Sequence, residues 1–353
     1  MKKKLGIIFG GKSTEYEISL QSASAVIAGV NEEEYEKVLI GIDREGRWYR
    51  YYGDVEKIEK DRWCNETDCV RAVISPDRET HGIVEFFRGQ VTTTSLDMAL
   101  PVLHGKNGED GTVQGLIELA GIPLIGCDTL CSALCMDKDR AHKLAALAGV
   151  SVPASAVFSQ IAGTEGDEES WREAAAEIGY PVFVKPVRAG SSFGVTKVNE
   201  EDNLAQAVRE AFQHDSEVII EEAIEGFEVG CAVMGKDKLT VGEVDEIELT
   251  HGFFDYTEKY TLKTSRIYVP ARISPETAAR IKETAQVIYR ALGCSGFARV
   301  DMFLTPEERI VFNEVNTIPG FTSHSRFPSM MKAAGISFAE VVDRLLKEGA
   351  EKE

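Results

Sequence analysis

Basic residues are scarce in this chain of 353 residues, which carries 39 lysines and arginines against 58 aspartates and glutamates. The net charge of −19 repels phosphate backbones and anionic lipids, so we expect neither a nucleic-acid nor a membrane partner. No apolar run reaches the ~20 residues that a membrane-spanning helix needs. Any phosphate site must therefore come from a local cluster of lysines, arginines and backbone N–H groups.

Export signals are also missing from the sequence. Three lysines at residues 2–4 precede a short apolar segment at 5–9, but this segment runs into a Gly-Gly pair without a cleavage site. A first β-strand that enters a glycine-rich turn is the better interpretation. We therefore expect a cytoplasmic protein.

Cysteine usage agrees with that location. Seven cysteines are an odd number spread along a long chain, which is typical of reduced thiols. Cys127, Cys131 and Cys135 recur every four residues and could share one face of a helix. A shared metal is one interpretation, but no histidine or C-x-x-C spacing accompanies them, so the pattern favours small buried hydrophobic side chains.

Two common nucleotide-binding motifs are absent. The chain has no Walker A sequence, and its Gly-Gly-Lys-Ser at 10–13 does not match G-x-G-x-x-G. A Gly/Ser loop at 190–194 instead follows Lys185, which lies on a predicted strand. Its backbone N–H groups could approach an anion, although a simple tight turn is the alternative. Lys138, on a predicted helix, is either a second phosphate contact or an ordinary surface lysine.

The order of predicted elements indicates an α/β fold. Strands at 4–9 and 35–42 flank a helix at 15–29, and a strand at 97–103 precedes a helix at 112–120 and a strand at 122–126. This βαβ rhythm is typical of a parallel sheet with covering helices. A helix is predicted over 129–148, and mixed strands and helices follow. The polar, aromatic segment 251–266 is long for a passive connection and predicts a functional lid.

Two carboxylates face each other across a predicted hairpin. Strands at 296–305 and 309–317 with a turn between them, paired from Thr305 and Ile310, predict three opposed pairs on one face: Phe303 with Phe312, Asp301 with Glu314, and Arg299 with Asn316. Like charges directly opposed, roughly 5 Å apart at Cβ, are destabilising, so a cation is expected between them. All-oxygen ligands favour Mg²⁺ or Mn²⁺. The alternative is a solvated face on which Asp301 pairs with Arg299.

Two further polar residues lie at element ends near glycines. His104 ends a strand before the glycine-rich loop at 105–111, and it is either a site residue or a satisfied structural histidine. Glu15 lies near the start of the first helix. It either favours the helix dipole or holds a substrate ammonium group.

Taken together, these segments resemble the D-alanine–D-alanine ligase family of ATP-grasp enzymes over nearly the whole chain. The motifs that carry the resemblance are FGGKS at 9–13, LHGKNGEDG at 103–111, MDK at 136–138, VKP at 184–186 and NEVNTIPGFTSHS at 313–325. The resemblance implies an α/β and α+β architecture, namely an ATP-grasp fold with an N-terminal Rossmann-like domain. It implies domains at 1–126, 127–221 and 222–353, the last carrying the lid and the hairpin, and a homodimer.

The resemblance also implies roles for individual residues. ATP would be held by Lys138, Lys185, Ser191, Glu221, Ile224, Glu228 and Lys259. Two Mg²⁺ or Mn²⁺ ions would be held by Asp301, Glu314 and Asn316. The catalytic groups would be Glu15, Ser191, Tyr260, Arg299 and the backbone N–H of Gly320. The amino acids would be held by His104, which helps Glu15 with the first D-alanine, and by Ser325, which binds the acceptor carboxylate.

The acceptor is where the sequence departs from ordinary D-alanine–D-alanine ligases. Arg326 and the lid run at 253–265 are similar to vancomycin-resistance D-alanine–D-serine ligases of the G type. By that resemblance Asp245, Phe254 and Arg326 would shape a pocket for D-serine, and the dipeptide would enter peptidoglycan synthesis. A second D-alanine is the alternative. D-lactate is disfavoured by the Asp-Tyr-x-x-Lys-Tyr pattern at 255–260, which D-lactate ligases typically lack.

Two other classes of protein fit these residues less well. Other ATP-grasp ligases share the metal hairpin but not the set formed by Glu15, His104 and Ser325. A nucleotide-binding regulator descended from the ligases would be expected to lose Arg299 or a metal ligand, and this chain retains them.

Overall fold

The computed structural model describes residues 2–160, 168–190, 193–249 and 265–350. Within these ranges the chain forms three β-sheets with helices packed against them. Four predicted site residues lie outside the described residues: Ser191, Phe254, Lys259 and Tyr260. Most of the predicted lid at 251–266 also lies outside them.

The first sheet has seven strands in the order β6-β5-β4-β3-β2-β1-β7. The strands are β1 (Lys3–Gly10), β2 (Tyr35–Ile42), β3 (Trp48–Tyr51), β4 (Cys69–Ile74), β5 (Gly82–Phe87), β6 (Gln90–Ser95) and β7 (Met98–Pro101). The accompanying helices are α1 (Tyr16–Gly29), α2 (Val55–Glu59) and α3 (Thr112–Leu119).

The prediction of a parallel sheet was correct only at one edge of this sheet. Strand β1 pairs in parallel with β2 and β7, whereas β2 through β6 pair antiparallel. Antiparallel neighbours need only a short turn, so residues 43–96 add strands without crossover helices. The strand predicted at 122–126 is reduced to an isolated bridge between Ala99 and Leu124.

The second sheet is antiparallel, with the order β10-β9-β11-β8. Its strands are β8 (Ser155–Ser159), β9 (Val182–Pro186), β10 (Thr196–Val198) and β11 (Glu217–Glu222). Helices α6 (Glu168–Ile178) and α7 (Leu204–Ala211) cover it, with a 3₁₀ turn at Glu201–Asn203 before α7. Trp171, Val184 and Val208 belong to the apolar core that joins these helices to the sheet.

The helix predicted over 129–148 is two helices, α4 (Thr129–Met136) and α5 (Lys138–Leu147). Asp137 separates them because its backbone leaves the helical region, with φ −90° and ψ 101°. Its carboxylate accepts the backbone N–H of Arg140 at 2.9 Å and so caps α5. The break places Lys138 at the first position of α5 instead of on a helix side.

The third sheet is antiparallel, with the order β14-β13-β12-β15-β16. Its strands are β12 (Phe227–Met234), β13 (Thr240–Leu249), β14 (Ser265–Tyr268), β15 (Phe297–Leu304) and β16 (Ile310–Asn316). Helix α8 (Pro275–Ala291) begins at a Ser274 N-cap with proline at its first position. Helices α9 (Arg326–Ala333) and α10 (Phe338–Ala350) follow.

The β15–β16 register was predicted correctly at the pairs Asp301–Glu314 and Arg299–Asn316. The pair Phe303–Phe312 was wrong, because the register shifts between Asp301 and Met302 and Phe312 pairs with Met302. A bulge inserts one extra residue and reverses which face the following side chains occupy. Phe312 is therefore buried in the apolar core with Met302.

The last two helices share one apolar core with the first sheet. Leu20 and Ile27 of α1 belong to the same buried cluster as Phe327 and Leu345 of α9 and α10. The end of the chain is thereby packed against its beginning. The domain boundaries at 126 and 221 stay predictions. Among the described residues, no helix combines the length and apolar character needed to cross a membrane.

Candidate active site

A cavity of about 510 Å³ lies where α1, α5, the β15–β16 hairpin and the segment after β16 meet. The predicted site residues that line it are Glu15, His104, Lys138, Arg299, Glu314, Asn316, Gly320, Ser325 and Arg326. Other predicted residues are described but lie outside its wall: Lys185, Glu221, Ile224, Glu228, Asp245 and Asp301. Residues up to 311 positions apart in sequence thus share one wall, as Glu15 and Arg326 do.

Asp301 lies behind the cavity wall in the middle of β15 and is 1% exposed. Arg299 donates to both of its carboxylate oxygens, with Nε to Oδ1 at 2.8 Å and Nη2 to Oδ2 at 2.7 Å. The Nδ2 of Asn316 donates to Oδ2 at 2.9 Å. The predicted alternative pairing of Asp301 with Arg299 is therefore present, but in a buried setting and not on a solvated face.

These contacts bear on whether the hairpin can hold a divalent cation. Glu314 and Asn316 line the cavity and offer carboxylate and amide oxygens, since Asn316 turns its amide nitrogen toward Asp301. This donor chemistry fits Mg²⁺ or Mn²⁺. Arg299 already offsets much of the Asp301 charge, so an ion that reaches Asp301 must displace part of that contact. Like-charge repulsion alone does not require a metal here.

Arg326 begins α9 and carries the densest ionic network of the site. Its Nε and Nη2 donate to Asp245 at 2.7 and 2.8 Å, and its Nη1 donates to Glu228 at 2.7 Å. The Nη2 also lies 3.3 Å from Asp301. Burial lowers the pKa of Arg326, but these carboxylates outweigh it and hold the pKa well above its ordinary value.

Gly230 on β12 makes room for this network. A Cβ at this position would lie 2.4 Å from Nη2 of Arg326, 2.7 Å from Oδ1 of Asp245 and 2.9 Å from Oδ1 of Asp301. Its backbone N–H also donates to Asp245 at 2.9 Å. Asp245 is fully buried and does not line the cavity, whereas Arg326, which it holds by two hydrogen bonds, does; Asp245 therefore positions the guanidinium.

Gly320 and Ser325 lie on the segment between β16 and α9. The Oγ of Ser325 accepts the backbone N–H of Thr322 at 3.0 Å and lies 2.8 Å from the Thr322 hydroxyl. Ser325 is also the N-cap residue of α9. A hydroxyl beside a helix N-terminus is suited to an anionic group such as a carboxylate.

On the opposite wall, the loop after β7 holds the segment that contains Gly320. His104 is 4% exposed, with Nδ1 2.8 Å from the Ile318 carbonyl and Nε2 3.0 Å from the Ser22 hydroxyl. The Ser22 hydroxyl also accepts the backbone N–H of Phe321 at 3.2 Å. Burial lowers the pKa of His104, so the ring is neutral at pH 7.

Glu109 is a second carboxylate beside Glu15 on the cavity wall. Its oxygens accept the backbone N–H groups of Gly105 at 2.8 Å and Ile318 at 3.1 Å. Burial and the neighbouring Glu15 raise the pKa of Glu109 to about 8. The absence of a side chain at Gly105 allows Glu15 to lie close to this loop, because a Cβ on residue 105 would lie 2.4 Å from Oε2 of Glu15.

Lys185 and Glu221 form a buried ion pair in the second sheet, with Nζ 2.5 Å from Oε1. Burial raises the pKa of Glu221, but Lys185 and His142 outweigh it and leave the pKa below its ordinary value. His142 Nε2 lies 2.8 Å from the Asn313 carbonyl, so Nδ1 is an acceptor in the neutral ring. Within the described part of the chain, His142 Nδ1 and Glu221 Oε2 are buried without a hydrogen-bond partner.

Lys138 links this region to the Gly/Ser loop. Its Nζ donates to the carbonyl of Ala189 at 2.8 Å, directly before the loop. Ala189 and Gly190 line the cavity together with Lys138. Ile224 is half-buried and lies in the loop between β11 and β12, shortly after Glu221 in the sequence.

Sequence reasoning missed several residues that build the site: Ser22, Glu109, His142 and Gly230. Glu109 stands in the glycine-rich loop after His104, and its position there was a usable signal. His142 follows Lys138 by one helical turn, a spacing that places both on one face. Ser22 and Gly230 gave no signal, because their roles depend on contacts with residues far away in sequence.

Comparisons with known proteins agree over the whole length of the chain. A family model described as D-ala D-ala ligase N-terminus matches residues 4–127, and one described as D-ala D-ala ligase C-terminus matches residues 144–347. The crystal structure of VanG D-Ala:D-Ser ligase from Enterococcus faecalis is 58% identical, with a TM-score of 0.92 over 99% of this chain and 100% of that chain.

Two curated relatives also match nearly the whole chain. The Vancomycin/teicoplanin A-type resistance protein VanA of Enterococcus faecium is 47% identical over 97% of both chains. A putative D-alanine–D-lactate ligase of Streptomyces coelicolor is 46% identical over 97% of this chain and 96% of the relative. The chain therefore belongs to the D-alanine–D-alanine ligase family, whose members are ATP-dependent ligases of the ATP-grasp fold.

Proposed function

We propose that this enzyme joins D-alanine to D-serine at the expense of ATP, through a D-alanyl phosphate intermediate. It would act in the cytoplasm and supply a dipeptide for peptidoglycan precursors of the vancomycin-resistance type. The observation that carries the choice of D-serine is the buried guanidinium of Arg326 on the cavity wall beside Ser325. The similarity to a D-Ala:D-Ser ligase at 58% identity supports it.

A fixed guanidinium suits an acceptor that carries a hydroxyl. Arginine has five N–H donors. The hydrogen bonds of Arg326 to described residues use three of them, and Nη2 also lies 3.3 Å from Asp301, which leaves a donor on Nη1. Asp245 and Glu228 hold the group in place, so little side-chain entropy is lost when a substrate binds. The hydroxyl of D-serine can accept from this donor. D-Alanine would leave the donor unpaired, which costs about 1–3 kcal/mol.

ATP would lie toward the second sheet. Lys138 and Lys185 would contact its phosphates, with the Gly/Ser loop beside Lys138. The unpartnered Oε2 of Glu221 and Nδ1 of His142 are two acceptors 3.8 Å apart, which suits an amino donor such as that of adenine. Glu314 and Asn316, with Asp301 behind them, would hold divalent ions that neutralise phosphoryl charge.

The first step activates a poor electrophile. Glu15 would pair with the ammonium group of the first D-alanine, with His104 held nearby in its neutral form. The carboxylate of that D-alanine attacks the γ-phosphorus of ATP, forming one P–O bond while the bond to ADP breaks. The products of this step are D-alanyl phosphate and ADP. Enclosure of the cavity protects the acyl phosphate from water.

The second step forms the peptide bond. The acceptor D-serine would bind with its carboxylate at Ser325 and its hydroxyl at Arg326. In this position its deprotonated amine attacks the acyl carbon of D-alanyl phosphate. A tetrahedral oxyanion forms, and Arg299 with the backbone N–H of Gly320 would stabilise it. Collapse of the oxyanion expels inorganic phosphate. The Phe321 and Ile318 N–H groups fixed by Ser22 and Glu109 keep the Gly320 backbone in place for this role.

A competition assay tests the acceptor. The enzyme is incubated with ATP, D-alanine and equal amounts of D-serine and D-lactate at neutral pH, and the products are separated and counted. D-Alanyl-D-serine should predominate. A product mixture dominated by D-alanyl-D-alanine or by D-alanyl-D-lactate would contradict the proposal.

Arg326→Leu sharpens the same assay. The ratio of D-alanyl-D-serine to D-alanyl-D-alanine should fall by about 10- to 100-fold, the equivalent of one lost hydrogen bond to a hydroxyl. A product ratio does not depend on the fraction of folded enzyme, so reduced stability does not affect the reading. Arg272→Leu, which removes a half-exposed arginine of an unrelated ion pair, is the matched control and should leave the ratio unchanged.

A further inference from the structure

Four cysteines meet in the core close to the candidate active site. Cys127 precedes α4, Cys131 and Cys135 lie one helical turn apart on α4, and Cys294 lies in the turn between α8 and β15. All four are buried, with exposed fractions between 1% and 6%. The sequence pattern contained three of them, but Cys294 joins only through the fold.

The sulfur atoms of Cys127, Cys131 and Cys294 form a close group, and the sulfur of Cys135 contacts those of Cys131 and Cys294. The Sγ of Cys131 lies 3.5 Å from that of Cys294 and 3.8 Å from that of Cys135, and the Cys135–Cys294 distance is 4.0 Å. Cys127, Cys131 and Cys294 have Sγ atoms within 4.8 Å of one another. Tetrahedral zinc, with bonds of ~2.3 Å to thiolate sulfur, holds its sulfurs about 3.8 Å apart.

Thiols that merely pack in an apolar core lie at distances similar to those in a zinc site. The number of neighbouring sulfurs, and not their spacing, therefore distinguishes this cluster from an apolar contact. An ordinary core position is filled equally well by alanine or valine. Here residues from two distant segments all supply sulfur, and sulfur is the ligand that selects Zn²⁺ and related soft ions. Among the described residues, Cys127, Cys131 and Cys294 are the one group of three or more cysteine, histidine or carboxylate side chains whose ligand atoms all lie within 4.8 Å of one another.

The backbone fixes the two segments independently of the thiols. A Cβ on Gly296, whose φ is +71°, would lie 2.7 Å from Cα of Gly126, so only glycine permits this approach. The Ser295 hydroxyl donates to the Gly126 carbonyl at 2.9 Å. Cys127 and Cys294 adjoin these contacts directly. The ligand positions are therefore set before any ion binds, which reduces the cost of ordering them.

Charge and access also favour an ion. The neighbouring thiols of Cys127, Cys135 and Cys294 lower the pKa of Cys131, whereas the pKa of each of those three thiols is raised. Cys131 is also the third residue of α4, where the helix dipole favours a thiolate. Cys135 lines the active-site cavity, which gives an ion a route to the cluster.

We propose that Cys127, Cys131, Cys135 and Cys294 form a binding site for a thiophilic divalent ion of the Zn²⁺ class. Binding forms metal–sulfur bonds and releases the thiol protons to solvent. The ion would link α4 to the turn before β15. Because α4 leads through Asp137 into Lys138, an occupied site would also fix this wall of the cavity.

Titration with Co²⁺ and Cd²⁺ tests the site. The protein carries Cys64→Ser and Cys69→Ser, which remove the two more accessible thiols, and is reduced with a phosphine that does not bind metals. A thiolate-to-metal charge-transfer band should rise and saturate at one ion per chain. An ion bound at Glu314 and Asn316 has oxygen ligands and gives no such band.

Three variants locate the band. Cys131→Ala and Cys294→Ala should each weaken binding by at least about 10-fold, as loss of a ligand does. Cys231→Ala is the matched control, since Cys231 is a fully buried thiol of the same apolar core but outside the cluster, and it should bind as the parent does. Zinc should likewise raise the unfolding temperature of the parent and of Cys231→Ala only. Absence of the band in the parent, or its persistence in both cluster variants, would overturn the proposal.

Discussion

The ionic network around Arg326 predicts a large energetic coupling with Asp245. Arg326→Met keeps the buried aliphatic stem but removes the guanidinium. Among the described residues, Asp245, which is 0% exposed, would then retain only the N–H of Gly230 as a hydrogen-bond partner. Breaking a buried ion pair by removing one partner costs about 3–5 kcal/mol, since the remaining charge is left without compensation.

The reciprocal substitution should cost less. In Asp245→Leu the guanidinium keeps Glu228 at 2.7 Å and Asp301 at 3.3 Å, so we expect a loss near the lower end of that range, about 3 kcal/mol. The double variant removes both charges and replaces the pair by apolar groups, which is often close to neutral. The cycle should therefore show a coupling of at least about 2 kcal/mol.

Urea unfolding of the parent, the two single variants and the double variant measures this coupling, provided that the m-values agree. Urea is used because a guanidinium salt would screen the charges. Arg272→Met is the control. Arg272 has a 48% exposed side chain and pairs with Glu246 at 2.6 Å, so its loss should shift the urea midpoint much less than Arg326→Met does. A cost below about 1 kcal/mol for Arg326→Met, or a double variant equal to the sum of the singles, would refute the reasoning.

Three further outcomes are expected. Gly230→Ala would place a Cβ 2.4 Å from Nη2 of Arg326, so it should lower the free energy of unfolding in urea by at least about 2 kcal/mol and reduce the preference for D-serine. The control Gly115→Ala, whose Cβ would meet its nearest neighbour at 3.5 Å, should be neutral or slightly stabilising. Equal effects of the two substitutions would contradict this expectation. Burial lowers the pKa of His104, so below about pH 6.5 its ring becomes protonated in the unfolded chain while it stays neutral in the folded protein. The stability of the folded protein therefore falls as the pH falls. His104→Gln should reduce the change of the unfolding midpoint with pH between about pH 7.5 and 5.5. An unchanged pH dependence would argue against a lowered pKa of His104. Glu314→Gln should lower kcat by at least about 100-fold and shift the Mg²⁺ dependence while leaving the urea midpoint nearly unchanged, and an unaltered Mg²⁺ titration would exclude Glu314 as a metal ligand.

Local patterns in the sequence predicted most elements to within a few residues, and they failed where a single residue interrupts a period. The helix over 129–148 has continuous helical composition, and Asp137 breaks it by capping the next helix. The hairpin register was correct at Asp301 and Glu314 but wrong at Phe303 and Phe312, because a bulge leaves no mark in an alternating pattern. Period alone cannot detect an inserted residue.

The site was predictable mainly through the family motifs. Glu15, His104 and Ser325 were identified by resemblance, and the fold brings them to one cavity. The contacts that position them were not predictable, since they join residues far apart in sequence. Cys294 shows the same limit: 159 positions separate it from Cys135, and only the packing of α4 against the turn before β15 unites them.

The segment after β16 has a consequence for exchanging parts between related ligases. Its Ile318 and Phe321 backbones are held by Ser22, His104 and Glu109, all contributed by the N-terminal part of the chain. A chimera that joins the N-terminal sheet of one relative to the remainder of another must therefore preserve a buried junction, and not merely a linker. Acceptor preference would not transfer with Arg326 alone, because the backbone beside it is shaped by residues that lie between 209 and 299 positions earlier in the sequence.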